Sequence, residues 1–151
     1  MSTPHPNNFL AIEPQLVARL KEALADLRPA VFVLTEADLA GVKESAQHVP
    51  AVHVIWNGFG VAEANTLGSR ARLAHTWLCV AAVRNVGDVR SGAAARQEAG
   101  ELLARAGGVL MGFKPQGAIT PLRLAPGPRS WASKGYLYVP LAFNVETLFS
   151  N

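Results

Sequence analysis

The sequence predicts an α+β protein with a single mixed or antiparallel sheet, flanked by an N-terminal helix and one long central helix. Helical and strand-like segments follow the order helix, strands, one long helix, strands, without the alternating βα units of a parallel fold. One strand is apolar on both faces, as expected in the middle of a sheet. The 151 residues suit one domain. We expect an N-terminal arm over residues 1–10 and a single domain over residues 11–151.

The first predicted helix covers residues 14–27. Its apolar residues recur at helical spacing: Leu16, Val17, Leu20, Leu24 and Leu27. Pro14 suits the first turn, where its missing N–H costs nothing. The run PAVFVLT then predicts a strand, and EADLAGVKESAQH a short helix and a loop. PAVHVIWNG predicts a second strand that ends at NGFG, and residues 61–69 predict a loop or the bend of a long hairpin.

The segment RLAHTWLCVAAVRN predicts the central strand, because alternation gives it two apolar faces. One face carries Leu73, His75, Trp77, Cys79, Ala81 and Val83. The long helix is predicted over residues 91–111, with Ser91 as its N-cap. Its apolar stripe consists of Ala95, Ala99, Leu102, Leu103, Ala106 and Leu110.

Two further strands are predicted by AITPLRLA and GYLYVPLAFNVETL, joined by the turn PGPRS. Pro140 interrupts the second of them. Because proline cannot donate to a strand ladder, we expect this strand to be an edge strand or to carry a bulge.

Composition narrows the classes of function. The net charge is only +3, without a basic block or a zinc-finger spacing, so we expect no specific reading of DNA, although weak electrostatic contact stays open. No apolar run approaches the ~20 residues that span a bilayer, and the N-terminus lacks the layout of a signal peptide. We therefore expect a protein made in a cytoplasm, with no membrane partner. Cys79 is the only cysteine and predicts a buried, inert thiol.

No motif for catalysis stands in the sequence. GFGVAE lacks the third glycine of a dinucleotide fingerprint, and NVGDVRSG lacks the lysine of a phosphate-binding loop. His53 and His75 could lie on adjacent strands, but none of the histidines has a metal-ligand spacing. Glu98, Glu101 and Arg105 predict a solvated ion-pair pattern. We predict no catalytic residue, no metal and no cofactor.

Four segments together resemble the tail terminator, or tail-completion, proteins of tailed bacteriophages, especially the branch found in Mu-like prophages. They are PAVHVIWNG, the strand HTWLCVAAVRNV that leads into an alanine-rich helix, the helix exit LLARAGGVLMGFKP, and the aromatic ending GYLYVPLAFNV. The resemblance covers about residues 10–148. None of these segments is a catalytic signature.

The resemblance implies a structural virion protein. Such proteins form a ring, usually of six copies, that caps the tail tube, stops its polymerisation and presents a surface to the neck proteins of the head. In contractile tails the ring also meets the sheath, and DNA passes through it. The alternatives are another head–tail connector or tube-like protein of the virion, a small cytoplasmic enzyme with a site around His53 and His75, and a DNA-binding module.

The contact surfaces are expected in irregular segments, because rigid scaffolds carry recognition on loops. Residues 57–72 and 126–134 are the two most irregular segments, and we expect them to face the tube, the sheath or the next subunit. An alternative for Trp131 is that it folds back on its own sheet. The predicted interface residues, including those at the junction between the central strand and the long helix, are Arg70, Arg72, Arg84, Asp88, Arg90, Arg129, Trp131 and Lys134.

Overall fold

The computed structural model describes residues 5–39, 47–85 and 89–151. Within these residues three helices and six strands follow one another along the chain. They are α1 (Glu13–Leu24), β1 (Phe32–Thr35), α2 (Glu36–Leu39), β2 (Ala51–Ala64), β3 (Arg70–Arg84), α3 (Val89–Leu110), β4 (Arg123–Ala125), β5 (Trp131–Ser133) and β6 (Tyr136–Ser150).

The described strands form one mixed sheet in the order β1–β2–β3–β6–β4, with β5 also paired to β6. Strands β1 and β2 are parallel, and the other pairs are antiparallel. The predicted α+β class with a single mixed sheet is therefore confirmed. So is the central position of β3, which pairs with β2 on one side and with β6 on the other.

The two sides of the sheet are covered differently. Helices α1 and α3 pack on one face, where Trp77, Cys79 and Ala81 of β3 belong to the larger core. On the other face a smaller core is formed by residues such as Val80 and Tyr138. The segment after β4 closes over this face, because a Cβ built on Gly127 would lie only 3.0 Å from the Cβ of Ala142.

Helix α1 shows how the sequence pattern becomes packing. Its buried residues Leu16, Leu20 and Leu24 lie at the predicted spacing, and a proline occupies the first turn as expected. The helix ends at Leu24, three residues before the predicted end, and Leu27 packs on the core from outside the helix. Helix ends often finish in a tighter turn, and here the N–H of Leu27 donates to the carbonyl of Leu24 at 3.2 Å.

The second strand is longer than predicted, and the prediction that it ends at NGFG was wrong. Gly58 has a φ of 87°, and the register between β2 and β3 shifts between Trp56 and Phe59. The glycine therefore forms a β-bulge, and the strand continues beyond it. Residues 61–64 belong to β2, so the bend of a long hairpin, one of the two predicted alternatives, is confirmed only for residues 65–69.

Helix α3 begins two residues before Ser91, so the predicted N-cap was wrong. It runs through both glycines to Leu110, one residue before the predicted end. Gly107 is buried, and a Cβ built on it would lie 2.7 Å from Cδ2 of Leu141. The absence of a side chain at Gly107 lets the helix pack closely on β6. The predicted stripe of alanine and leucine residues is buried as expected, although Leu103 is only partly buried.

Strand β6 passes through Pro140 without a register shift against β3, so the predicted bulge was wrong. It is also not a simple edge strand, because β5 pairs with Tyr136–Tyr138 and β4 with Ala142–Asn144. Pro140 lies in the gap between these two short partners. The strand predicted from AITPLRLA is reduced to the three residues of β4.

Candidate assembly surfaces

The predicted interface residues lie at two opposite ends of the sheet. Arg70 and Arg84 are the first and last residues of β3, a strand of 15 residues. At about 3.3 Å per residue they are roughly 45 Å apart. Lys134 lies at the Arg84 end, because the N–H of Asn85 donates to the carbonyl of Gly135 at 2.7 Å. The structure therefore separates the two predicted loops into two surfaces.

The first surface is the hairpin tip, residues 65–69 between β2 and β3. The Asn65 side chain accepts hydrogen bonds from the backbone N–H groups of Ser69 and Arg70, at 3.0 and 3.1 Å. Leu67 stands at the tip with 88% of its surface exposed. Sequence reasoning missed Leu67, because a single leucine among small and polar residues is common on protein surfaces and is not a signal by itself.

Arg72, beside the hairpin tip, is held within its own subunit. Its guanidinium contacts Glu63 at 3.1 Å and Glu146 at 2.8 Å, which ties β2, β3 and β6 together. Arg70 differs, since its side chain has no ion pair or hydrogen bond with any described residue. Of the two predicted arginines at this end, Arg70 is the one available to a partner.

An aromatic cluster lies next to this end of the sheet. Phe9 of the predicted arm packs edge-on against Trp56, Phe59, His75 and Phe149, with ring centroids 5.2 to 6.2 Å apart. The Asn7 side chain donates to the carbonyl of Ser150 at 2.6 Å. The described part of the arm is thus bound to the sheet, and sequence reasoning did not find this contact because Phe9 stands in a polar segment.

The second surface surrounds the β5–β6 turn. Trp131 stacks on Tyr138 at 5.1 Å with an interplanar angle of 17°, yet 44% of its surface stays exposed. Both alternatives for Trp131 are therefore partly realised, since one ring face rests on its own sheet. The guanidinium of Arg84 lies over the Tyr136 ring at 5.4 Å. Lys134 has a positive φ of 49° in the turn.

For three predicted interface residues the structure shows no contact that bears on their role. Arg129 is exposed in the segment between β4 and β5. Asp88 lies outside the described residues. Arg90 belongs to the first turn of α3, and its side chain is outside the description.

A groove lies between the connection from α1 to β1 and helix α3, and we call it the α3 groove. It has a volume of about 400 Å³. Its apolar lining consists of Leu27, Pro29, Val31, Pro50 and Leu102. Glu98, Glu101, Arg28 and Arg105 provide its charges. The predicted pairing of Glu101 with Arg105 is not formed, because Arg105 contacts Asp26 at 2.9 Å instead.

The two buried histidines differ in their partners, since His75 uses both ring nitrogens in hydrogen bonds, whereas Nε2 of His53 has no partner among the described residues. His75 accepts a hydrogen bond at Nδ1 from the Trp56 indole, and its Nε2 meets the Thr147 hydroxyl at 2.9 Å. His53 is on the adjacent strand, as expected, but faces the smaller core beside Tyr138. Burial lowers the pKa of both rings. The two histidines thus lie on opposite faces of the sheet and form no common site.

The single cysteine is also structural. Cys79 is buried in the larger core, and burial raises its pKa to about 12. A thiol in this environment stays protonated and is a poor nucleophile. Among residues 5–39, 47–85 and 89–151, no group of three histidine, cysteine or acidic side chains could hold a metal ion.

The comparison with known families decides the identity. The family model described as phage tail terminator protein matches residues 6–150, nearly the whole chain. The chain belongs to the phage tail terminator family. The resemblance seen in the sequence is confirmed at family level, and the narrower placement in the Mu-like branch stays a prediction. As a tail terminator, the chain is a structural protein of the phage tail and part of the virion.

A solved structure shares the terminator fold. A chain from the virion of a native gene transfer agent particle superposes with a TM-score of 0.51 at 14% identity, over 92% of this chain and 98% of that chain. Among curated proteins, none matches this terminator sequence. In the described part of the chain, no helix is long and apolar enough to cross a membrane.

Proposed function

We propose that this terminator closes into a ring, with six copies in the virion, at the head-proximal end of the tail tube. The ring stops tube polymerisation and provides the surface to which the neck, or head-completion, protein attaches. In a contractile tail it also meets the sheath protein. DNA passes through the ring with only non-specific contact. Family membership carries the proposal.

One structural observation supports a closed ring. Strand β1 pairs with only the first four residues of β2, so residues 55–64 have no strand partner on their outer side among the described residues. Unpaired strand edges are templates for pairing with another chain. The opposite edge of the sheet is also only partly covered, by the three residues of β4 and the three of β5.

A contact between these two unlike edges would be heterologous, because each copy would offer a different surface on each side. Heterologous contacts close into rings when the rotation between copies is right. An open sheet with two different free edges is therefore suited to a ring of identical subunits. This supports the ring over a two-fold dimer, which would use one surface twice.

The proposal assigns no catalytic role to any residue. Two of the residues considered for catalysis are engaged in the fold, since His75 is hydrogen-bonded on both ring nitrogens and Cys79 is buried. A protein that ends polymerisation acts through the shape and charge of its surfaces. This supports the structural function over the alternative of a small enzyme.

The proposal is tested by imaging tails from a phage that lacks its own terminator and is complemented with this chain. We expect tails of uniform length with a six-fold ring at the head-proximal end of the tube. A position along the tube, or within the neck, would instead favour another connector or tube-like protein. A single copy at the tube end would contradict the ring.

A further inference from the structure

The hairpin tip has the composition of a contact anchor. Leu67 is the most exposed of the large apolar side chains in the described chain, at 88%. Arg70 follows three residues later, and its guanidinium has no partner among the described residues. The tip thus offers one apolar side chain and one uncommitted positive charge, held in place by the Asn65 turn.

The α3 groove offers the complementary chemistry. Its apolar wall includes Leu102, and the carboxylates of Glu98 and Glu101 have no ion pair or hydrogen bond with any described residue. Its two arginines are committed. Arg105 pairs with Asp26, and Arg28 donates to the carbonyls of residues 25 and 27 at the end of α1. Hydrogen bonds to neutral carbonyls leave the charge of Arg28 uncompensated, so Glu98 and Glu101 together exceed it by one negative charge.

The tip cannot reach the groove of its own subunit. Pro50 lines the groove and directly precedes β2, while the tip directly follows β2. Strand β2 has 14 residues, so its ends are roughly 43 Å apart at about 3.3 Å per residue. The two complementary surfaces lie at opposite ends of the molecule, and only two copies can bring them together.

We infer that the hairpin tip of one copy docks in the α3 groove of the next copy. Leu67 lies against the apolar wall of the groove, and Arg70 faces Glu98 and Glu101. The inference rests on the proposed ring and names the contact between its copies. Tip docking sets neighbouring copies end to end along the strands, so it takes the place of pairing between the free sheet edges, which would set them side by side. The contact is heterologous, as a closed ring of identical subunits requires. Each subunit gives a tip to one neighbour and receives a tip from the other.

Disulfide cross-linking in assembled tails tests this contact. The variant with Leu67→Cys and Glu98→Cys is supplied to a terminator-null phage, and purified tails are treated with a mild oxidant. We expect a ladder of cross-linked species up to the size of the ring. Cys79 stays out of the reaction because it is buried and its pKa is about 12. Leu67→Cys with Ala104→Cys is the matched control, since Ala104 is exposed on α3 but does not line the groove.

The outcomes separate the contact from the ring itself. A ring that is visible by electron microscopy but gives no ladder, or gives the same ladder in the control, overturns the docking and leaves the proposed function standing. A cross-link from residue 67 to the tube or neck protein also overturns it. Tails without any ring overturn both.

Charge reversal gives an independent test. Arg70→Glu should lower the yield of infectious phage by about tenfold or more. Combining it with Glu98→Arg and Glu101→Arg should restore the yield, because the charge pairs are re-formed with opposite sign. If the triple variant is no better than Arg70→Glu, with all purified variants folded by circular dichroism, the contact is wrong.

Discussion

The indole N–H of Trp56 donates a hydrogen bond to Nδ1 of His75, 3.1 Å away, in the cluster that holds the N-terminal arm. The bond requires an unprotonated Nδ1, so the neutral form of His75 carries its proton on Nε2 and offers it to Thr147. The folded protein is therefore adapted to a neutral histidine at this position.

The first prediction is a loss of stability in mild acid. Burial lowers the pKa of His75 and His53 below the ordinary 6.5, so the unfolded chain binds protons at a higher pH than the folded one. The free energy of unfolding should therefore fall as the pH drops below about 6.5. Urea unfolding between about pH 7.5 and pH 5.5 measures this. Replacing both rings, by His53→Gln and His75→Gln, should flatten the dependence, and an unchanged slope would contradict the prediction.

The second prediction separates the two arginines at the hairpin. Arg72→Ala should lower the free energy of unfolding by about 1 kcal/mol, because it breaks two ion pairs and leaves the largely shielded Glu146 without its partner. Arg70→Ala should change it by less than about 0.5 kcal/mol. Chemical denaturation of the purified variants compares them directly. Equal losses in both variants would show that the ion pairs of Arg72 do not stabilise the fold.

The third prediction concerns the two adjacent glycines of α3. Gly108→Ala should raise the free energy of unfolding by about 0.5–1 kcal/mol, because alanine favours a helix and the added methyl group meets open space. Gly107→Ala should give no such gain, since its methyl group would press on Leu141 at 2.7 Å. Thermal or urea unfolding distinguishes them. An equal gain at both positions would mean that Leu141 moves aside freely.

The fourth prediction concerns Trp131. Trp131→Ala should cost about 1 kcal/mol through the lost stacking on Tyr138, while the subunit stays folded. On the proposed function, this variant should also give tails of uncontrolled length or tails that do not join heads. Trp131→Phe keeps an aromatic ring on Tyr138 and serves as the control. Electron microscopy of tails from complemented phage measures the effect, and normal tails with Trp131→Ala would contradict the placement of this surface.

The arrangement of elements could be predicted where periodicity reports burial. The spacing of Leu16, Leu20 and Leu24 and the two apolar faces of β3 are direct consequences of packing, and both predictions are confirmed. The errors fall at Gly58 and Pro140. A strand end was predicted at Gly58, and a bulge was one of two alternatives predicted at Pro140. Pairing with β3 instead carries β2 past Gly58 and keeps the register of β6 through Pro140, and such pairing is a property of the whole sheet.

The surfaces could be predicted only in part. The exposure of Arg70 and Trp131 follows from their polar surroundings in the sequence. The ion pairs of Arg72 with Glu63 and Glu146 could not be predicted in this way. The carboxylate of Glu146 lies on β6 and reaches Arg72 only when β3 and β6 pair. The α3 groove likewise combines α3 with the segment before β1, and no local pattern reports that meeting.

The position of β3 between β2 and β6 also determines the order in which the strands can pair during translation. The β2–β3 hairpin is local and can form as soon as both strands leave the ribosome. Its other edge must wait for β6, which is translated after all the other described elements and whose residue Ser150 binds Asn7 across 143 positions of sequence. During that interval the nascent chain presents β3 as an unpaired apolar edge. We therefore expect synthesis in infected cells to depend on chaperones, and subunits to become competent for assembly only when β6 has been added.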